Sequence, residues 1–95
     1  MRNWQSLLNG IMSKLKKLSD KVRNNPKNVR FDEIRKLAEA LGFKYKGGKG
    51  SHIVYSKNGI PDIINFQNIN GMVKPYQVRQ FLKIIEEYSL RLKEE

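Results

Sequence analysis

Residues 31–66 decide the fold and read FDEIRKLAEALGFKYKGGKGSHIVYSKNGIPDIINF. The stretch begins with apolar residues at helical spacing from Phe31 to Leu41, with acidic residues in the first turn and Gly42 after the last. An alternating segment, a glycine-rich turn and two β-rich runs joined by an Asn-Gly pair follow. This order predicts one helix followed by an antiparallel meander.

The strands of this meander are expected at 43–46, around 53–55 and at 62–66, and residues 67–74 are expected to form a polar loop. Pro75 suits the first turn of a closing helix, in which apolar residues recur at helical spacing up to Tyr88. Alternation would bury Phe43, Tyr45 and Phe66, although such rings can also stack on bases. Two helices on one face of a three-stranded antiparallel sheet make the fold class α+β.

An additional helix is predicted before this unit. Apolar residues recur at helical spacing between Trp4 and Val22, several lysines fall on another face, and Pro26 ends the pattern. We therefore divide the chain into a basic amphipathic N-terminal helix at 1–24 and a main domain at 25–95. Such a helix can lie on a membrane or bind a partner, but it more often packs on its own domain.

Positive charge is concentrated in the first part of the chain. The net charge is +10; residues 1–24 carry +5, residues 25–57 carry +5 and residues 58–95 carry none. A basic surface can serve solubility alone, but phosphate neutralisation favours a polyanionic partner such as RNA. No apolar run approaches the ~20 residues of a membrane span, and no signal peptide is recognisable. We therefore expect a cytoplasmic protein that does not engage a membrane.

His52 is the only histidine, so any imidazole acid–base chemistry must use it. It follows Gly50 and Ser51 at the junction of a glycine turn and a strand, where backbone can pass close to a ligand. Cationic side chains that could hold an RNA backbone lie nearby in the sequence, at Lys44, Lys46 and Lys49. Strand alternation does not settle which face His52 occupies, and a lone histidine is more often structural.

Other kinds of site find little support in the sequence. The chain has one histidine, no cysteine and scattered carboxylates, which do not suit a zinc site. The glycine-rich turn at 47–50 lacks the spacing and the Ser or Thr of a phosphate-binding P-loop. No metal or small-molecule cofactor is expected.

Several segments together resemble the HicA toxins of type II toxin–antitoxin systems. The similarity covers roughly residues 25–90 and rests on Asn25-Pro26-Lys27-Asn28-Val29-Arg30-Phe31, Leu41-Gly42-Phe43, Gly50-Ser51-His52, Lys74-Pro75-Tyr76-Gln77-Val78-Arg79-Gln80 and Glu86-Glu87-Tyr88. The Gly-Ser-His element is short, and its position between the two helix patterns makes the combination specific.

This resemblance implies a double-stranded-RNA-binding-like fold that cleaves mRNA without a metal and inhibits translation. It also implies neutralisation by a HicB antitoxin that covers the active site. The essential histidine of the family corresponds to His52, and the glycine and serine before it correspond to Gly50 and Ser51. Many relatives have a second histidine where this chain has Ile53. If that second imidazole assists catalysis in relatives, this protein would be slower or would use another proton carrier. If it serves only strand packing, nothing changes.

The resulting hypothesis is an endoribonuclease toxin with His52 as catalytic residue and with Lys44, Lys46, Lys49, Gly50 and Ser51 as RNA-binding residues. Because one histidine cannot be base and acid at once, a second group is needed, and Tyr55 is a candidate by sequence proximity alone. Two alternatives remain open. One is a non-catalytic RNA-binding module, and the other is a protein-interaction unit that binds an acidic partner.

Overall fold

A computed structural model describes residues 4–92 as three α-helices and one antiparallel sheet. The chain order is α1 (Trp4–Asn24), α2 (Phe31–Ala40), β1 (Lys44–Gly47), β2 (His52–Lys57), β3 (Ile60–Ile69), β4 (Met72–Val73) and α3 (Pro75–Glu87). The strands lie in the order β1-β2-β3-β4, and each pairs antiparallel with the next. This arrangement confirms the predicted α+β class and the helix–sheet–helix order.

Helices α2 and α3 cover one face of the sheet, because alternate strand residues supply an apolar surface there. Tyr55 and Phe66 are fully buried, and the ring of Phe66 meets that of Phe81 from α3 edge to face at 5.4 Å. Phe43 meets Phe81 in the same way at 5.5 Å. On α2, Ile34 and Leu37 have no exposed surface. We call the helix-covered side of the sheet the inner face and the other side the outer face.

The segment predicted as a polar loop at 67–74 is largely strand, which corrects the sequence-based expectation. Strand β3 continues to Ile69, and β4 pairs back on it through Ile69 with Met72. Asn70 and Gly71 both have positive φ, the conformation that suits a tight hairpin turn. The sheet therefore has four strands rather than three, because this Asn-Gly pair turns the chain directly back on itself.

Strand β1 shows the second difference. Phe43 and Phe66 are buried as expected, whereas the Tyr45 side chain is 59% exposed. Tyr45 pairs with buried Tyr55 and their rings meet at 6.2 Å, so it points to the inner face. It is exposed because β1 is the edge strand and has a neighbouring strand on one side only.

Helix α1 packs against α2 through its C-terminal half. Val22 is fully buried, Leu15 and Leu18 pack against the core, and Lys21 forms an ion pair with Glu33 of α2. Closer to the N-terminus, Leu7 is exposed. Residues 1–3 and 93–95, and the predicted apolar side chains of Trp4, Leu8, Ile11 and Met12, lie outside what the structure describes. No helix within residues 4–92 is long and apolar enough to cross a membrane.

Candidate functional site

His52 begins β2 and lies on the outer face of the sheet. Its neighbours in the strand define the inner face, since Tyr55 is fully buried and Ile53 packs against the core. Strand alternation then places His52 and Val54 on the opposite side, where neither α2 nor α3 packs. His52 is half-buried there. The face that the sequence left open is thus settled by the packing of Tyr55.

The glycine-rich segment before His52 forms a tight connection between β1 and β2. The backbone N–H of His52 donates to the carbonyl of Lys49 at 3.0 Å, and Gly50 between them has a φ of 59°. Such a positive φ at the second residue of a turn favours glycine. Gly48 is needed for a different reason, because a Cβ there would overlap the backbone carbonyl oxygen of His52. The backbone of the β1–β2 connection therefore contacts the backbone of His52 at Gly48.

Strand β3 supplies the polar neighbours of His52. In the β2–β3 register His52 pairs with Gln67 and Val54 pairs with Asn65, so His52 and Asn65 are diagonal neighbours on the outer face. The Nδ1 atom of His52 lies 3.3 Å from Oδ1 of Asn65. The backbone N–H of Gln67 donates at 2.7 Å to Oε1 of Gln77, a buried side chain of α3. Helix α3 thus holds β3 at Gln67, the residue that pairs with His52.

The predicted RNA-binding lysines do not form one cluster. Lys49 is exposed in the turn that ends at His52. Lys44 pairs with Ser56, four residues along β2 from His52, which corresponds to about 13 Å of strand. Lys46 lies at the irregularity between β1 and β2. With Gly42, Ser56, Lys57 and Asn58, Lys44 and Lys46 line a shallow depression at the far end of these strands.

Tyr55 cannot be the second proton carrier at His52, because its side chain points to the inner face. Its hydroxyl donates at 2.8 Å to Oε2 of Glu39 and accepts at 3.1 Å from Nε of Arg35, both on α2. Burial is the main cause that raises the pKa of the Tyr55 phenol, and the bond to Glu39 adds to it, although Arg35 opposes the shift. The hydroxyl thus ties β2 to α2.

The remaining predicted residues lie beside His52. Ser51 is exposed, and its carbonyl accepts the backbone N–H of Asn68 at 2.9 Å, which continues the pairing of the two strands beyond His52. Gly50 is exposed, with open space where a Cβ would stand. Ile53, at the position of the second histidine in many relatives, packs against the core. A side chain at position 53 therefore faces away from His52.

Sequence reasoning missed three residues of this region. Gly48 was one of several glycines, and its close approach to His52 depends on how β1 and β2 pair. Asn65 stands between apolar residues of a strand, a position that indicates an outward side chain but does not name its neighbour. Lys57 is one of many lysines, and no sequence signal separates it from the others. Within residues 4–92, no group of three or more acidic or histidine side chains is placed to hold a metal ion.

Comparison with known proteins gives one finding. Residues 31–86 match the family described as HicA toxin of bacterial toxin-antitoxin. The matched region runs from the first residue of α2 almost to the end of α3, and it includes all four strands. No curated protein and no solved structure matches the chain.

Proposed function

This chain belongs to the HicA toxin family, and from that premise we propose that it is an endoribonuclease that cleaves mRNA and so inhibits translation, with His52 as the catalytic residue. Membership of the family makes the chain a toxin of a toxin–antitoxin system and implies an antitoxin partner. To this the proposal adds RNA cleavage as the reaction, mRNA as the substrate and His52 as the catalytic residue. It also places this action in the cytoplasm.

The observation that supports the proposal best is the position of the only histidine. His52 stands on the outer face, which neither α2 nor α3 covers, and it follows a turn that carries the exposed Lys49. An imidazole can exchange protons near neutral pH, and an uncovered sheet face gives an extended RNA chain access to it.

The proposed reaction uses the substrate's own 2′-hydroxyl as nucleophile. His52 takes the proton of this hydroxyl, the 2′-oxygen forms a bond to phosphorus, and the bond between phosphorus and the 5′-oxygen breaks. The products are a 2′,3′-cyclic phosphate and a 5′-hydroxyl end. Lys49, in the turn that ends at His52, stabilises the charge that develops on the phosphate oxygens, and Lys46 binds the RNA backbone farther along β1.

A proton must also reach the departing 5′-oxygen. Tyr55 is excluded from this step, because its hydroxyl is bound to Arg35 and Glu39 on the inner face. We assign the step to water at the outer face. A histidine at position 53, as in many relatives, would face the inner side of the sheet, so Ile53 takes no proton donor away from His52.

The test is cleavage of a defined RNA by purified wild type and His52→Ala, followed by analysis of the product ends. His52→Ala should lower the rate by about 10² to 10⁴-fold, the usual contribution of a general base, while it leaves the fold intact. Wild type should leave 2′,3′-cyclic phosphate ends, and a 2′-deoxy nucleotide at the cut site should block cleavage. Equal cleavage by the two proteins would overturn the role of His52.

A matched control is Tyr55→Phe, which removes a hydroxyl from the same strand on the inner face. It should lower stability, since two hydrogen bonds of about 1 kcal/mol each are lost. Its cleavage rate should remain within about threefold of wild type.

If wild type binds RNA without cutting it, and His52→Ala binds equally well, the chain is a non-catalytic RNA-binding module.

We further propose that the antitoxin is a HicB-like protein that covers the outer face. Among residues 4–92, no helix packs on the outer face around His52, so a partner seated there would exclude RNA. Co-expression of a HicB-like antitoxin that binds this chain should then restore growth and protect mRNA. If the partner binds while cleavage continues, it covers another surface.

A further inference from the structure

We propose that Asn65 is a positioning residue that holds His52 with its proton on Nδ1, so that Nε2 is free to accept the proton of the 2′-hydroxyl. The proposal rests on the proposed function of His52 as general base. It adds the residue that selects the reactive form of the ring. Asn65 was not among the residues that the sequence indicated.

The backbone register brings the two side chains together. Asn65 pairs with Val54 and His52 pairs with Gln67, so both side chains project from the same face of adjacent strands, displaced by one diagonal step. The two atoms that meet are Nδ1 of His52 and Oδ1 of Asn65, at 3.3 Å. Asn65 is exposed on this face, while its neighbours Ile64 and Phe66 are buried in the core. Burial of those two neighbours keeps the Asn65 side chain directed outward.

The chemistry of the two atoms determines the form of the ring. An amide oxygen only accepts hydrogen bonds, so this contact requires a hydrogen on Nδ1. In the neutral imidazole the other nitrogen, Nε2, then carries the lone pair. A general base must present that lone pair to the substrate. The contact with Asn65 therefore leaves the basic nitrogen available for the reaction.

The same hydrogen bond assists the ring after proton transfer. When Nε2 takes the proton, the ring becomes an imidazolium, and Nδ1–H becomes a charged donor to Asn65. Hydrogen bonds with a charged donor are roughly twice as strong as neutral ones, so the contact strengthens as the charge develops. Within residues 4–92, no carboxylate is hydrogen-bonded to the His52 ring. An amide therefore serves here as the neutral counterpart of the acidic partner that often orients a catalytic histidine.

A direct test is the tautomer of the ring, read by nitrogen NMR. Because the chain has one histidine, a long-range ¹H–¹⁵N correlation of labelled protein shows the two ring nitrogens of His52 alone. With the ring in its neutral form, wild type should show a protonated Nδ1 and an unprotonated Nε2. Asn65→Ala should lose this preference, and Asn65→Asp, which keeps an acceptor oxygen, should retain it. A proton on Nε2 in wild type, or an unchanged spectrum in Asn65→Ala, would overturn the proposal.

The second measurement is the kinetics of RNA cleavage by the same proteins. Asn65→Ala should lower kcat by about tenfold or more, a part of the 10² to 10⁴-fold that a general base supplies. Its KM should stay unchanged, because the amide does not hold the substrate. Asn65→Asp should keep most of the activity, which a loss of structure would not allow. Asn28→Ala, at an exposed asparagine in the connection before α2, is the matched control and should behave as wild type.

The two measurements separate the two proposals. If wild type shows the expected tautomer but cuts no RNA, the ribonuclease assignment is wrong while the Asn65 contact stands. If wild type cuts RNA and His52→Ala does not, but Asn65→Ala cuts as fast as wild type, Asn65 has no positioning role. Circular dichroism of each variant distinguishes either result from a failure to fold.

Discussion

At the residue scale, the position of His52 depends on the absence of a side chain at Gly48. The chain leaves β1, passes against the carbonyl oxygen of His52 and then turns through Gly50 into β2. Only a residue without a Cβ fits at Gly48, because the atom it would meet belongs to the backbone of His52 and cannot rotate away. The imidazole is therefore placed by its own backbone and by the preceding loop as well as by its neighbours on the sheet.

Gly48→Ala should consequently impair both stability and activity. Crowding of a well-packed position costs about 1–3 kcal/mol, and relief of the overlap would move His52 away from Asn65. We expect a lower urea midpoint and a cleavage rate reduced by about tenfold or more. The measurement combines urea unfolding with an RNA cleavage assay.

Gly10→Ala provides the control for this substitution. Gly10 lies in α1 with open space around the position of its Cβ, so alanine should stabilise the helix by about 0.5–1 kcal/mol. Its cleavage rate should equal that of wild type. Wild-type behaviour of Gly48→Ala would show that the loop can move without disturbing the site.

At the element scale, the Glu33 side chain adds polar contacts to the apolar packing between α1 and α2. Glu33 accepts the backbone N–H of Arg30 at 3.0 Å at the start of α2 and forms an ion pair with Lys21 of α1. Burial by itself would raise the pKa of Glu33, but the hydrogen bonds from Lys21 and Arg30 outweigh it, and the pKa is lowered. The carboxylate form is therefore the one that the folded protein prefers.

The stability of the protein should consequently depend on the charge of Glu33. A group whose pKa is lowered on folding stabilises the protein above its unfolded pKa, and this contribution is lost as the pH falls through the folded value. Glu33→Gln should lower the free energy of unfolding at pH 7 by up to about 1 kcal/mol, since Lys21 is half exposed. Urea unfolding of both proteins from pH 7 down to pH 3 should show the difference shrinking below about pH 4.5.

Asp32→Asn is the matched control for Glu33→Gln. Asp32 lies in the same helical turn, but it is exposed, and its carboxylate lies 3.6 Å from Nε of Arg30. Its effect on unfolding should be a few tenths of a kcal/mol. A difference between wild type and Glu33→Gln that persists unchanged at pH 3 would rule out the charge as its cause.

At the scale of the whole molecule, the two faces of the sheet carry different kinds of side chain. The inner face holds the aromatic core under α2 and α3, and the outer face holds His52 and Asn65. The excess positive charge lies in the first 57 residues, which include β1, β2 and the turn between them. An RNA strand on the outer face would thus meet the cationic edge of the sheet.

The salt dependence of RNA binding should show whether RNA binds along the β1–β2 edge of the sheet. Replacing Lys46 and Lys49 together with glutamine should reduce the slope of log affinity against log salt by about 1.4, because each phosphate contact of a single strand contributes about 0.7. The double replacement of Arg79 and Lys83 with glutamine removes the same charge from exposed positions of α3 and should leave the slope near that of wild type. Equal slopes for the two double variants would show that RNA does not follow the β1–β2 edge.

Local sequence patterns were sufficient to predict several parts of this protein. Helical periodicity placed α2 and α3, and the Asn-Gly pair at 58–59 placed the β2–β3 turn, since Lys57 pairs with Ile60 across it. Local motifs also identified the family and singled out His52. These features follow from residues close together in the chain, so one sequence contains all the information they require.

Features that depend on strand register and on the packing of layers become visible in the folded protein alone. In the folded protein His52 lies on the uncovered face of the sheet, and Tyr45 is exposed at its edge. Strand β4 pairs with the end of β3, and the Tyr55 hydroxyl points toward α2. The contact between His52 and Asn65 joins residues 13 positions apart, and a slip of one residue between β2 and β3 would abolish it. The physical reason is that periodicity gives two possible faces to each strand, and packing against α2 and α3 selects one of them.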